Sequence, residues 1–213
     1  MKLLCHRGYW SSNADKNSLS ALERAIANGF GIETDIRDCN GQLVISHDPP
    51  GAGDVLSLED FLKVYASYGK ETLLALNIKS DGLQQKLLET LNHFKIINYF
   101  VFDMSLPDTL GYLNHEMPTA VRISEYEDGK GLLGACDTVW LDAFNEDWYE
   151  RDFLISLIES GKRVCVVSPE LHKRQHSFLW EMLRSIPESK THNLFLCTDL
   201  FDKSREALKI VND

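Results

Sequence analysis

Short apolar runs of four to six residues, rich in β-branched and aromatic side chains, alternate along the chain with longer stretches in which apolar residues recur every three or four positions. The first pattern suits strands buried on both faces and the second suits amphipathic helices, so their alternation predicts βα units around a parallel sheet. Nine strand candidates follow, at 2–5, 31–36, 43–46, 73–78, 99–102, 119–123, 138–141, 163–167 and 194–197. Helices are predicted over 18–28, 57–68, 82–94, 107–114, 150–160, 176–186 and 203–211. A (β/α)8 barrel needs only eight strands. The surplus falls between Glu33 and His47, where Asn40-Gly41 reads as a tight turn with no room for a crossover helix, so that one of the two runs extends a neighbouring strand. Ser57 reads as an N-cap with Asp60 at the third helical position, and Pro49-Pro50-Gly51-Ala52-Gly53 reads as a loop.

Composition narrows the class. With 213 residues, 44% of them apolar and 25% charged, the chain is expected to fold as a single domain over 1–213, near the lower size limit of a TIM barrel. The net charge of −10, from 32 acidic and 22 basic residues with no basic run, argues against nucleic-acid binding. It also means that an anionic ligand must be drawn in by local positive charge or by a cation. Cys5, Cys39, Cys136, Cys165 and Cys197 form an odd set without a CxxC pair, which reads as reduced, mostly buried thiols. No apolar run reaches membrane-spanning length and the first residues are too short for a leader, so a cytoplasmic protein is expected. Oligomeric state is left open.

In a βα barrel chemistry gathers at the carboxyl ends of the strands. Four candidate strands end in ionisable groups: His6-Arg7-Gly8, Glu33-Thr34-Asp35, His47-Asp48 and Asn77-Ile78-Lys79. Two residues apart on a strand, Glu33 and Asp35 share a face, and such a pair is either solvated, matched by Lys and Arg, or joined by a cation. Oxygen-only ligation favours Mg2+ or Ca2+ over zinc. A lone histidine at a strand end is more often a packing or capping residue, but His6 and His47 beside paired carboxylates suit proton transfer near neutrality. Arg7 and Lys79 suit phosphate oxygens, and Gly8 lets the backbone approach closely. Asp103, Asp142 and Glu170 read as surface charges or caps, with Asp103 a spare cation ligand. Trp10, Tyr126, Trp140 and Trp148 read as core or rim packing rather than as a pocket lining.

These motifs, in this order, resemble the glycerophosphodiester phosphodiesterase family, whose superfamily also holds phosphatidylinositol-specific phospholipase C. The resemblance runs from His6-Arg7-Gly8 through Asn17-Ser18, Gly31-Ile32-Glu33-Thr34-Asp35, the stretch from Gly41 to Asp48, and Leu58-Glu59-Asp60-Phe61-Leu62 to Ile78-Lys79, and returns weakly at Thr198-Asp199. It implies a TIM (β/α)8 barrel of the phospholipase-C-like phosphodiesterase type. It also implies a divalent cation, Mg2+ or Ca2+ before Mn2+, on Glu33 and Asp35, with His6 and His47 as the acid and base pair and Arg7 and Lys79 on the phosphate. Three departures stand out. Asn77 occupies the position of the family's third carboxylate ligand, Lys16-Asn17-Ser18 replaces Glu-Asn-Thr, and the family's long insertion after His-Asp is reduced to the loop 49–55. The expected function is metal-dependent hydrolysis of glycerophosphodiester-like or lysophospholipid-like substrates in lipid metabolism. The alternatives are a non-catalytic barrel that binds a phosphate ligand or a protein, and a lyase that releases a cyclic phosphate.

Overall fold

The computed structural model describes residues 1–51, 53, 55–69 and 72–210, so Ala52 and Asp54 of the expected 49–55 loop and Val211 of the last helix lie outside the described residues. The chain packs as two compact units, His6–Thr119 and a second formed by Met1–Cys5 with Ala120–Asp213.

In the first unit β2 (Gly31–Cys39) pairs in parallel with β4 (Leu74–Ile78), which pairs in parallel with β5 (Tyr99–Phe102). The surplus strand is β3 (Gln42–Ile45), paired antiparallel with the outer end of β2 across Asn40-Gly41. Asn40 and Gly41 both take positive φ, 49° and 76°, as a two-residue hairpin turn requires. β2 therefore runs past the expected 31–36, and the hairpin, not a crossover, consumes the ninth strand. Helices α1 (Leu19–Ala27), α2 (Leu58–Ser67), α3 (Gln84–His93) and α4 (Leu106–Asn114) follow β1 (Lys2–His6), the hairpin, β4 and β5. Ser18, Ser57 and Ser105 cap three of them, each hydroxyl accepting from the backbone N–H three residues on. Each such cap is worth about 1 kcal/mol.

In the second unit Lys2–Cys5 of β1, β9 (Leu194–Thr198), β8 (Arg163–Val167), β7 (Thr138–Leu141) and β6 (Ala120–Ile123) lie side by side, every pairing parallel. Helices α5 (Arg151–Glu159), α6 (Ser177–Arg184) and α7 (Phe201–Leu208) follow β7, β8 and β9. No helix separates β6 from β7. Residues 129–136 instead close consecutive turns, Leu132 and Leu133 donating to the Gly129 carbonyl and Cys136 to that of Leu132.

Strands β4, β5, β7 and β9 are buried along their whole length, which explains why their sequences are apolar but for Asn77, Thr138 and Thr198. The helices bury one stripe each, such as Ala21, Leu22, Ala25 and Ile26 of α1 or Leu179, Trp180 and Leu183 of α6. Apolar burial of this kind contributes roughly 1.5–3 kcal/mol per large side chain. All five cysteines are free, and Cys5, Cys136, Cys165 and Cys197 are buried. Among the described residues no helix is long and apolar enough to cross a membrane.

Candidate functional site

The site lies within the first unit, on His6 and the turn after it, on the middle of β2 and on the end of β4. After His6 the backbone enters a left-handed turn at Arg7 (φ 60°) and Gly8 (φ 86°). A Cβ on Gly8 would stand 2.8 Å from the Ala21 carbonyl carbon, so only glycine lets this turn lie against the start of α1. The turn brings the Arg7 amide over Glu33, donating to its carbonyl at 2.8 Å and to its side-chain Oε2 at 3.2 Å. Asn17, also left-handed (φ 60°), returns the loop by donating its N–H to the Arg7 carbonyl at 2.9 Å.

Glu33 and Asp35 are 1% and 0% exposed, two carboxylates on one face of β2, as the strand period requires. Asp35 stands opposite Asn77 in the β2–β4 register. Around Asp35 the charges converge. Arg7 Nε lies 3.0 Å from its Oδ2, without hydrogen-bond alignment, and Lys79 Nζ lies 3.4 Å from its Oδ1. Asn17 Nδ2 donates to Oδ2 at 2.8 Å, and Thr34 donates its hydroxyl to Asn17 Oδ1 at 2.8 Å. Glu33 receives less: Asn77 Nδ2 donates to Oε1 at 3.3 Å, and His6 Nε2 stands 4.0 Å from Oε2. Burial above all, then the Asp35 charge, pushes the Glu33 carboxyl up to about 7, against the pull of His6, Arg7 and Lys79.

Among the described residues, Asp35 Oδ1 and Asn77 Oδ1 are buried oxygens that accept no hydrogen bond, Oδ1 of Asp35 having only the Lys79 ammonium nearby. With Glu33 they make an all-oxygen donor set, and two repelling carboxylates beside an amide oxygen fit a hard divalent cation. The set holds only two carboxylates, and among the described residues no three His, Cys, Asp or Glu side chains gather to hold an ion. Asp103 (φ 74°), the expected spare ligand, meets Lys79 Nζ at 3.6 Å and shares that ammonium with Asp35.

His47 is the expected site residue that the described contacts leave apart. Its strand is anchored, since Ser46 donates its N–H to the Asp35 carbonyl at 3.1 Å. The imidazole itself is 45% exposed, with Nδ1 2.9 Å from Asp48 Oδ1, and among the described residues no hydrogen bond or ion pair joins it to Glu33 or Asp35. Trp10, read as packing, donates its indole N–H to the His6 carbonyl at 3.0 Å, and Lys16 lies 4.4 Å above its ring.

The second unit holds a cluster that sequence reading missed. Asp142, read as a surface charge or cap, is 5% exposed and lies 2.7 Å from His172 Nε2, with the Ala143 N–H donating to the same oxygen at 2.9 Å. The His172 ring packs 4.8 Å from that of Phe144. Glu170 accepts from the Thr198 hydroxyl and, at 3.2 Å, from the Asp199 N–H. Tyr126 is 72% exposed and Trp140 is core, while Trp148 donates to the Asp142 carbonyl at 2.7 Å.

The parallel strands and the helices that follow them make the fold a TIM (β/α)8 barrel. No protein-family model and no curated protein matches the sequence. Solved structures do. A putative glycerophosphodiester phosphodiesterase from Galdieria sulphuraria is similar over 98% of this chain and 98% of its own, with TM-score 0.75 and 14% identity. A phosphodiesterase from Oleispira antarctica, solved in complex with the product sn-glycerol-3-phosphate, is similar over 99% of this chain and 97% of its own, with TM-score 0.72 and 16% identity. A Ca2+-dependent phosphatidylinositol-specific phospholipase C from Streptomyces antibioticus is similar over 98% and 96%, with TM-score 0.59 and 9% identity.

Proposed function

We propose that the chain, as one barrel domain over residues 1–213, is a metal-dependent phosphodiesterase acting on glycerophosphodiester-like or lysophospholipid-like substrates. The observation that carries this reading is the buried cluster in which Arg7 and Lys79 flank Asp35 while His6 faces Glu33. Two cations beside paired carboxylates in an acidic protein form a local anion site, and the neighbours named for phosphodiester chemistry share its fold. Five free cysteines fit a reducing, cytoplasmic setting.

The proposed roles follow from the contacts. Arg7 meets Asp35 through Nε, which leaves the far edge of its guanidinium for phosphate oxygens, and Lys79 adds a second positive charge. Mg2+ or Ca2+ would be held by Glu33, Asp35 and Asn77 and would supply charge stabilisation at the phosphoryl oxygens. His47 donates Nδ1–H to Asp48, which turns Nε2 outward as the proton acceptor for water. As water bonds to phosphorus and the P–O bond to the alcohol breaks, a protonated His6 gives its own proton to the departing oxygen, and the proton taken by His47 returns to solvent after release. Deep burial of Glu33 and Asp35 keeps competing water from their charges.

Turnover of bis(p-nitrophenyl) phosphate and glycerophosphocholine, with Mg2+, Ca2+ or Mn2+ added, tests the reading, and phosphorus NMR of the product separates hydrolysis from release of a cyclic phosphate. Absence of turnover with every metal would refute it. The amide of Asn77, hydrogen-bonded to Glu33 where a third carboxylate is expected, favours a second reading as a non-catalytic phosphate-binding barrel. That reading requires glycerol 3-phosphate to raise the melting temperature without turnover.

A further inference from the structure

We infer that Asn17 is a positioning residue that makes Asp35 a one-oxygen donor, and that the Thr34 hydroxyl fixes which end of the Asn17 amide faces the carboxylate. The inference rests on the phosphodiesterase reading for its kinetic consequences and on geometry for everything else. A carboxylate turns readily about its last side-chain bond unless its surroundings tell the two oxygens apart. Here they do. Among the described residues, Oδ2 of Asp35 takes the only hydrogen bond made to that side chain, from Asn17 Nδ2 at 2.8 Å, whereas buried Oδ1 takes none and has the Lys79 ammonium 3.4 Å away. Arg7 reaches Oδ2 at 3.0 Å as a charge without hydrogen-bond alignment, which draws the oxygen without fixing its angle.

The amide must itself be oriented, because a flipped Asn17 would set its carbonyl oxygen against the carboxylate. Thr34 prevents this by donating its hydroxyl to Asn17 Oδ1 at 2.8 Å. Thr34 and Asp35 are successive residues inside β2, whose side chains leave a strand on opposite sides, so Asn17, bonded to both, ties one face to the other. The Asn17 N–H on the Arg7 carbonyl locks the loop that carries it. Asp35 Oδ1 is thereby held as the oxygen that, like Asn77 Oδ1, accepts no hydrogen bond from the described residues.

Asn17→Gly deletes the amide while accepting the positive φ at no steric cost, which keeps the fold testable. Partners that orient a ligating group are worth about 10- to 100-fold when removed. Asn17→Gly should therefore lower kcat by that factor with little change in KM, and the Ca2+ concentration for half-saturation in calorimetry should rise by a similar factor. Thr34→Val should give a smaller loss of the same kind, Thr34→Ser should recover most of it, and Thr34→Val should add nothing in the Asn17→Gly background. Crystal structures of the parent and Asn17→Gly give the readout that needs neither turnover nor cation: the Asp35 carboxylate should rotate or split between two orientations. If the parent shows no turnover and binds no Ca2+, the phosphodiesterase reading fails, and the pair of structures still decides the role of Asn17. An unrotated, single Asp35 carboxylate in Asn17→Gly overturns the inference, and so does a Thr34→Ser protein as impaired as Thr34→Val.

Discussion

Replacing Glu33 by glutamine is expected to stabilise the cation-free protein at alkaline pH while removing its function. Glu33 is 1% exposed, and its carboxyl is raised from 4.5 to about 7, by burial first and by the Asp35 charge second. A carboxyl whose value rises on folding stabilises the native state while it is protonated in both states, below about 4.5. That contribution is lost as pH climbs through about 7, because the unfolded chain releases its proton earlier than the native one. At about 1.4 kcal/mol per pH unit, the rise amounts to at most about 3 kcal/mol of native-state cost at pH 8. Glutamine keeps the shape; its carbonyl oxygen can accept from the Arg7 N–H while its amide donates to Asn77 Oδ1 once the Asn77 amide turns over.

Melting in excess EDTA at pH 5 and at pH 8 measures the difference between parent and variant, and the subtraction cancels every other titrating group. For a chain of this length 1 kcal/mol moves Tm by about 2–4 °C, so Glu33→Gln should melt up to roughly 10 °C above the parent at pH 8 and close to it at pH 5. Saturating Ca2+ should narrow the gap, since a bound ion stabilises only the parent's ionised carboxylate. A variant that melts below the parent at pH 8, or the same gap at both pH values, would refute the reasoning.

His6→Ala and His47→Ala should each lower kcat on bis(p-nitrophenyl) phosphate by about two to four orders of magnitude with unchanged melting, and near-normal turnover in either variant would remove that residue from proton transfer. Asn77→Asp adds an anionic oxygen opposite Asp35 at nearly constant volume, so calorimetric titration with Mg2+ or Ca2+ should saturate at lower concentration; equal or weaker binding would exclude Asn77 as a ligand. Gly8→Ala forces a Cβ to within 2.8 Å of the Ala21 backbone at φ 86° and should lower stability by about 2–4 kcal/mol, read by urea unfolding; an unchanged midpoint would mean that the loop yields.

What sequence could reveal depended on whether a residue's neighbours lie on its own element. The barrel strands were legible because parallel strands buried on both faces write themselves as apolar runs, and the hairpin was legible in Asn40-Gly41. Glu33 and Asp35 were legible as a pair because strand parity alone puts them on one face. Asn17 was only part of a motif, since its hold on Asp35 depends on two left-handed residues, Arg7 and Asn17, that shape the loop between them. Asp142 was misread because its partner His172 lies 30 residues away, on a short 3-10 turn (Pro169–His172) after β8 that carries no periodic signal. His47 shows the reverse limit: its motif was plain, but its exposure beside Asp48 depends on side-chain rotation that no spacing records.

Asn77 acquires its meaning only when the strand register and the charges are taken together. Opposite Asp35, a third carboxylate would set three negative charges against Arg7 and Lys79 in a nearly dry pocket, and the surplus would have to be met by an ion. With an amide there, Glu33 and Asp35 face Arg7 and a Lys79 shared with Asp103, and Glu33, through burial first and the Asp35 charge second, rises until its carboxyl can take a proton near neutrality. The cluster thus has two ways to relieve the cost of burying this pair, a proton on Glu33 or a cation on Glu33, Asp35 and Asn77. The two compete, so cation affinity should weaken as pH falls below about 7, by up to tenfold per pH unit if binding requires ionised Glu33. Glu33→Gln should bind the cation weakly and with a flatter pH dependence. Calorimetric titrations with Ca2+ at pH 6 and pH 8 test the competition directly: equal affinity in the parent at both values would show that the proton and the ion do not share Glu33.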